Sequence, residues 1–390
     1  MFLIRQAKQD DLDLMLKLAR MVHFMNLPAD KTILSERIEQ SSRAFRYVAD
    51  PEGDVSLSEL KPCPSFIFVI EDTRRQATLG TSGVISKMGG PGNPNLSFTL
   101  RRREFFSTDL QTGTTHITAQ LYLDESGPTE LGGLMLGPSF RRHPAKLGKQ
   151  LSLIRFHFIG LHRQLFSDHL LAEMLAATAP DGRSVFWENF GRRFINLPYQ
   201  QADRFCTHSR EFMTSLLPRE EIYLSFLPPL ARKHVAQVGR ETVPARRMLE
   251  DLGFKYVQRI DPFDGGPHLE APTDEVPLVR DTATLRYGGT CKASDADRRG
   301  FVSATEEDGD FRACYTTYGV QRGRLMLPER VARLLRVDDA ATVAATPTDL
   351  GITQAALNAE TPTEGEAVAP TAGRSKPSST RRKRRTRTTG

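Results

Sequence analysis

The chain has 390 residues, 26% charged and 39% hydrophobic, which is the composition of a globular protein with room for more than one core. No stretch approaches the roughly 20 apolar residues of a membrane span, and Met1–Gln6 lacks the charge-then-apolar order of a signal peptide. The net charge of +6 comes from the end of the chain: residues 374–390 carry eight Arg and Lys, and subtracting them leaves the rest at −2. The folded body is therefore not marked as a nucleic-acid binder. The four cysteines, Cys63, Cys206, Cys291 and Cys314, lie far apart without metal-ligand spacing, so free thiols in a reducing cytoplasm are expected.

In chain order, Ile4–Ala7 reads as a short strand and Asp10–Arg20 as a Leu-rich helix. A second helix is predicted over Leu27–Phe45, capped near Ser35. Phe66–Ile70 and Leu79–Met88 form a hairpin, a Gly/Pro loop covers 89–95, and Phe98–Phe106 and Thr115–Leu123 alternate as strands. Leu131–Leu136 is a strand interrupted by Gly132 and Gly133, which marks a bulge or a close backbone approach. Arg141, Arg142, His143, Lys146 and Lys149 then crowd a turn holding Gly148. From Pro144 the apolar period is helical, through Leu147, Leu151, Ile154, Phe158 and Leu161. Free N–H groups and a positive dipole end at such a helix start suit a phosphate, and the basic side chains add to that. Taken alone, the turn also reads as a solvated basic loop.

His169–Ala177 is predicted as a buried strand, and Val185–Phe194 as a short helix stopped at Gly191. Residues 199–242 are polar and mixed, with Ile222–Leu227 extended. The Pro-started helix near 244–252, ending at Gly253, echoes the caps of the earlier one, and Lys255–Ile260 is a strand. Residues 283–345 read as a small β module with a helix at Pro328–Leu335. From Thr346 the composition is that of disorder, ending in the basic run, an electrostatic arm for nucleic acid or acidic surfaces, or a solubilising tail.

The order of bulged strand, basic turn, helix, strand and short helix resembles the acyl-CoA half of the N-acetyltransferase superfamily. More specifically, the chain resembles the bacterial arginine N-succinyltransferase family over about 345 residues. The resemblance is carried by Thr129-Glu130-Leu131, Leu134-Met135-Leu136-Gly137-Pro138, Ala172-Glu173-Met174, Phe186-Trp187 with Gly191-Arg192-Arg193-Phe194, Ala202-Asp203, Pro244-Ala245-Arg246 and Asp261-Pro262-Phe263-Asp264-Gly265-Gly266-Pro267. It implies an α/β (α+β) fold: a mixed twisted sheet flanked by helices, N-acetyltransferase-like, with a small C-terminal β module and a disordered tail. The expected divisions are 1–198 for the acyl-CoA domain, 199–280 for an extension completing its core, 281–346 for the β module and 347–390 for the tail.

The implied activity is succinyl transfer from succinyl-CoA to the α-amine of L-arginine, with no metal. A re-specialised or non-catalytic relative with a nucleic-acid-binding tail is the alternative. By position, Leu134 and Leu136 contact the acyl-CoA, while Arg142, Lys146, Gly148 and Lys149 take its pyrophosphate. Glu173, Asp261 and Asp264 are candidates for the arginine guanidinium. The catalytic candidates are Glu130 and His234. The family's proton-donor histidine falls on Gly239 here, and the arginine that follows its Ala-Glu-Met falls on Leu175. Phe186 and Trp187 are expected in the core. The partners are an amine, an acyl-CoA and, through 374–390, nucleic acid; no membrane is expected, and a homo-oligomer is compatible with the sequence.

Overall fold

A computed structural model of the chain describes residues 1–21, 29–60, 63–179, 182–206, 209–339, 341–359 and 361. Residues 362–390, with the basic run, lie outside them, but the stretch from Thr346 expected to be disordered is ordered at its start: a strand runs to Pro347, Leu350 and Ile352 are buried in the core, and Gln354–Leu357 is a short helix. β1 (Phe2–Gln6) leads through a short 3-10 turn into α1 (Leu12–Met21), and α2 spans Lys31–Ala49. The cap of α2 is Asp30 rather than Ser35: its carboxylate accepts from the N–H groups of Thr32 and Ile33 at 3.0 and 3.2 Å, the usual way to satisfy a first turn. β2 (Ser65–Asp72) and β3 (Ala77–Ile85) form the expected hairpin, and β4 (Asn95–Ser107) and β5 (Thr112–Asp124) a longer one. Next come β6 (Thr129–Leu136), α3 (Leu147–Leu161) and β7 (His169–Glu173).

α3 is buried nearly all round, beyond the one-sided stripe read from its sequence, because the sheet packs on one flank and the C-terminal elements on the other. β7 stops at Glu173, earlier than expected. There Met174 makes a last bond in register, donating to the Pro267 carbonyl, and Ala176 leaves the ladder by donating to the Asp264 carboxylate.

The predicted helix at 185–194 is two short ones, α4 (Val185–Asn189) and α5 (Gly191–Phe194). Gly191 opens the second rather than stopping the first, and a Cβ there would collide with the Trp187 ring. Phe186 and Trp187 are fully buried, and Trp187 stacks on Phe263 at 5.0 Å. The segment read as polar holds α6 (Tyr199–Cys206), α7 (Glu211–Leu216), the two-residue β8 (Ile222–Tyr223) and α8 (Pro229–His234). Their apolar residues close a second core around Trp187, Phe190 and Phe98. α9 (Val243–Glu250) and β9 (Lys255–Ile260) follow. β10 (Pro267–Pro272) was not expected from its mixed sequence; it is a strand because it fits between β9 and β7.

After α10 (Pro277–Arg280) come β11 (Ala283–Cys291), β12 (Arg298–Thr305), β13 (Phe311–Gln321), β14 (Arg324–Pro328), α11 (Glu329–Leu335) and β15 (Thr342–Pro347). The fifteen described strands run in the order β12-β15-β11-β14-β13-β1-β2-β3-β6-β7-β10-β9-β4-β5-β8. β13 pairs with β1, and Phe311 joins Phe45, Phe66, Phe68 and Phe158 in one fully buried aromatic group. Residues from β1–β3, α2, α3 and β13 therefore share a core, while a smaller cluster lies within the C-terminal strands. No helix among the described residues is long and apolar enough to cross a membrane.

Candidate acyl-transfer site

Two irregularities in β6 build the site. Against β3, Thr81 pairs with Met135 but Gly83 pairs with Gly132, so three steps on β6 face two on β3. The extra residue is accommodated at Gly133, whose φ of +60° costs a glycine little. On its other edge β6 runs parallel to β7 and is joined only at Thr129–Leu170 and Glu130–Leu171. No later pair joins the two strands, so they diverge just where the bulge begins. Continuing the register places Glu173 of β7 opposite Gly132 of β6 across the gap. A cavity of about 620 Å³ reaches this point, lined by Gly132, Gly133, Ser82, Arg37 and Arg210 among others.

Beyond β6 the chain turns through Arg142 (φ +66°) and Lys146 (φ +50°) into α3. No side chain caps this helix, and the N–H groups of Leu147 and Gly148 have no intrahelical acceptor. A Cβ at Gly148 would meet only Leu136 Cδ2, at 3.9 Å, so the first turn is open on that side. Arg142 is exposed and Lys149 half-buried. Lys146 is engaged elsewhere, its ammonium donating to the Leu350 carbonyl at 2.7 Å. Leu134 and Leu136, both half-buried, border the core along the same stretch of β6. These residues fit a pantetheine lying along an open strand edge, with its diphosphate at a helix start.

The alternation of the strands puts the acids on one face. Leu131, Leu170, Ala172, Met174, Leu269 and Ala271 face the core beneath α3. Glu130, Glu173 and His268 therefore point to the opposite side, that of α2 and the cavity. Glu130 is fully buried, and its charge opposes the lowering of proton affinity that burial imposes on the half-buried Arg37. Glu173 accepts from Asn95 Nδ2 at 3.0 Å, and Asn95 Oδ1 in turn accepts from Arg210 at 3.2 Å.

Asp261 and Asp264 close the acidic turn. Asp261 accepts from the N–H groups of Phe263 and Asp264, both at 2.8 Å, and Asp264 from those of Ala176 and Gly266, at 2.8 and 2.7 Å. Burial holds both carboxyls above the usual range, and neighbouring carboxylates add to the effect. Asp203 of α6 feels the same field: burial, then Asp264, push it up to about 6, with Arg37 opposing. A buried cluster of carboxyls that raise one another's proton affinity favours a positive charge beside it.

The fold thus brings together Glu130, Glu173, Asp261 and Asp264, which are far apart in sequence. His234 ends α8 half-exposed, with Nδ1 donating to the Leu230 carbonyl of its own helix. Gly239 lies in a segment laid against the end of β7, where Val238 bridges to Ala176. Arg37, Asp203 and His268 were not singled out as site residues. Their positions depend on α2, α6 and β10 meeting at the sheet, which no local pattern encodes; only the Ala202-Asp203 pair carried a hint.

The chain matches the family described as arginine N-succinyltransferase beta subunit over residues 2–278. It is 36% identical over 316 residues to a protein named arginine N-succinyltransferase from Yersinia enterocolitica, covering 80% of this chain and 88% of that one. It is 32% identical over 345 residues to one of the same name from Yersinia pestis, covering 86% and 95%. Among solved structures it resembles the arginine/ornithine succinyltransferase subunit AI of Pseudomonas aeruginosa, with a TM-score of 0.71 and 24% identity over 89% of this chain and 98% of that one, a likeness of fold.

Proposed function

The chain belongs to the arginine N-succinyltransferase family, and from that membership and the geometry of the gap we propose that it transfers a succinyl group from succinyl-CoA to the α-amine of L-arginine. The observation that carries the reading is the parting of β6 and β7 at the bulge, with glycine backbone on one side and Glu173 on the other. A thioester laid along β6 would place its carbonyl at the bulge, where a backbone N–H can stabilise the oxyanion. Leu134 and Leu136 would hold the pantetheine, and the first turn of α3 with Arg142 and Lys149 the diphosphate. Gly148 leaves room there, and Lys146 fixes the shape of the turn through Leu350.

The amine would enter from the cavity side. Glu173 faces the bulge and would hold the α-ammonium. Asp261, within 4.8 Å of Glu173, and Asp264 would add their field to the bound cation, and Asp203 would hold the guanidinium, while Glu130 supports the charge of Arg37. The basic run at 374–390 would act apart from this chemistry, as an arm for nucleic acid or another polyanion. The free thiols suit a cytoplasmic location.

Incubating the protein with succinyl-CoA or acetyl-CoA and a panel of amino acids and polyamines, with a thiol reagent to detect released CoA, tests the proposal. Release with succinyl-CoA and arginine is the expected result. No release with any amine would sink it, and a preference for acetyl-CoA would reassign the acyl donor.

A further inference from the structure

Amine acylation needs a proton acceptor beside the attacking nitrogen. The histidine candidate read from the sequence does not supply one, since His234 is tied to its own helix, and the position the resemblance gives the family's histidine is Gly239. Another histidine lies one strand beyond the gap, on β10 beside β7. His268 is the register partner of Glu173 across β10 and β7, and it is only 1% exposed. Its Nε2 makes no hydrogen bond and lies 3.7 Å from Glu173 Oε1. One ligand atom each from His268, Glu173 and Asp261 falls within 4.8 Å of the others.

A buried imidazole nitrogen without a partner is costly, and 3.7 Å is too long for a direct bond to Glu173. An ammonium seated between the two could donate to both. We propose that His268 is the general base of the transfer, taking a proton from the α-ammonium that Glu173 holds opposite the bulge. This inference rests on the acyl-transfer reading above.

In the step, Nε2 takes one proton from the ammonium and later passes it to solvent. The freed lone pair forms the N–C bond at the thioester carbon. The C–S bond breaks, and the second proton lost by the attacking nitrogen goes to the leaving sulfur, giving CoA thiol and the amide. The imidazole must be neutral with its lone pair on Nε2. Burial favours the neutral form; Glu173 and Asp124 oppose it, and Arg259 supports it. Asp261, from the adjoining turn, is the remaining acid that faces the pair.

The test measures kcat, both KM values and the pH–rate profile for the full chain and for His268→Gln. The wild type should lose activity on the acid side of its profile. The variant should lose about 100-fold in kcat, keep both KM values within about threefold, and gain rate continuously with pH as free amine replaces the base. His268→Asn serves in the same assays should the Gln variant not fold. An active wild type whose variant keeps kcat within threefold, or keeps the acid limb, overturns the assignment. So does wild-type activity abolished by chelation and restored by a divalent metal, which would make His268 a ligand. A wild type silent toward every amine counts instead against the transfer reading itself.

Discussion

Gly239 donates its backbone N–H to the Leu175 carbonyl at 3.0 Å. These are the two positions onto which the resemblance read from the sequence places the family's His and Arg, and they lie side by side at the end of β7. The two positions are therefore one local spot beside the site. A Cβ at Gly239 would come within 3.2 Å of the Ala176 carbonyl, a tight contact that a small loop shift relieves. Adding Gly239→His to His268→Gln should raise kcat at least tenfold over His268→Gln alone, while Gly239→His by itself should leave turnover within a few-fold of wild type. Steady-state kinetics on the four proteins check this.

Gly133 should tolerate no side chain at full activity. A Cβ there meets nothing closer than the Gly83 nitrogen, at 3.6 Å, so the obstacle is the backbone rather than space. Gly133→Ala should cost about 1 kcal/mol of stability from the left-handed conformation and lower kcat roughly tenfold or more by flattening the bulge. Thermal melts and turnover measured on the same preparation separate the two effects.

The basic turn divides into two kinds of cation. Arg142→Ala and Lys149→Ala should each raise KM for succinyl-CoA about tenfold, equivalent to ~1.4 kcal/mol, with kcat little changed. Lys146→Ala should instead lower the melting temperature, because its ammonium holds the Leu350 carbonyl. Equal KM effects for all three would contradict the division.

Asp203 offers a pH test. Its carboxyl, held at about 6, binds a proton more tightly in the folded chain than the ordinary 3.9 of the unfolded one. Stability from this group is therefore present at low pH and lost as pH rises through about 6. His157 and His162, pushed down to about 3 and about 4 by burial, act in the opposite sense, so a difference measurement is needed. Asp203→Asn should be more stable than wild type at pH 7.5, with the gain shrinking below about pH 6 and gone only below about pH 3.9, and should bind arginine more weakly at the higher pH. Melting curves across pH, with and without arginine, read both.

Removing residues 374–390 should leave turnover unchanged and abolish any salt-sensitive retention on a polyanion column. Turnover that falls with the tail would tie the arm to the site.

Local patterns were enough for the strands at 66–70 and 255–260, the helix read from Pro144 (it begins at Leu147), the glycine break in β6 and the basic turn after it. In each, the period or punctuation is written in consecutive residues. The resemblance to the family named the acids at 173, 261 and 264, because whole segments of sequence carried them. The sequence could not say that Asp203, Arg37 and His268 converge on the same gap. That depends on β10 slotting between β9 and β7 and on α2 and α6 covering one face, contacts made between residues 60 to 230 positions apart. Nor could local pattern foresee that β7 ends at Glu173, since the Asp264 carboxylate takes the amide that would have continued the strand. Chain-local chemistry set the pieces, and long-range packing decided which of them meet at the thioester.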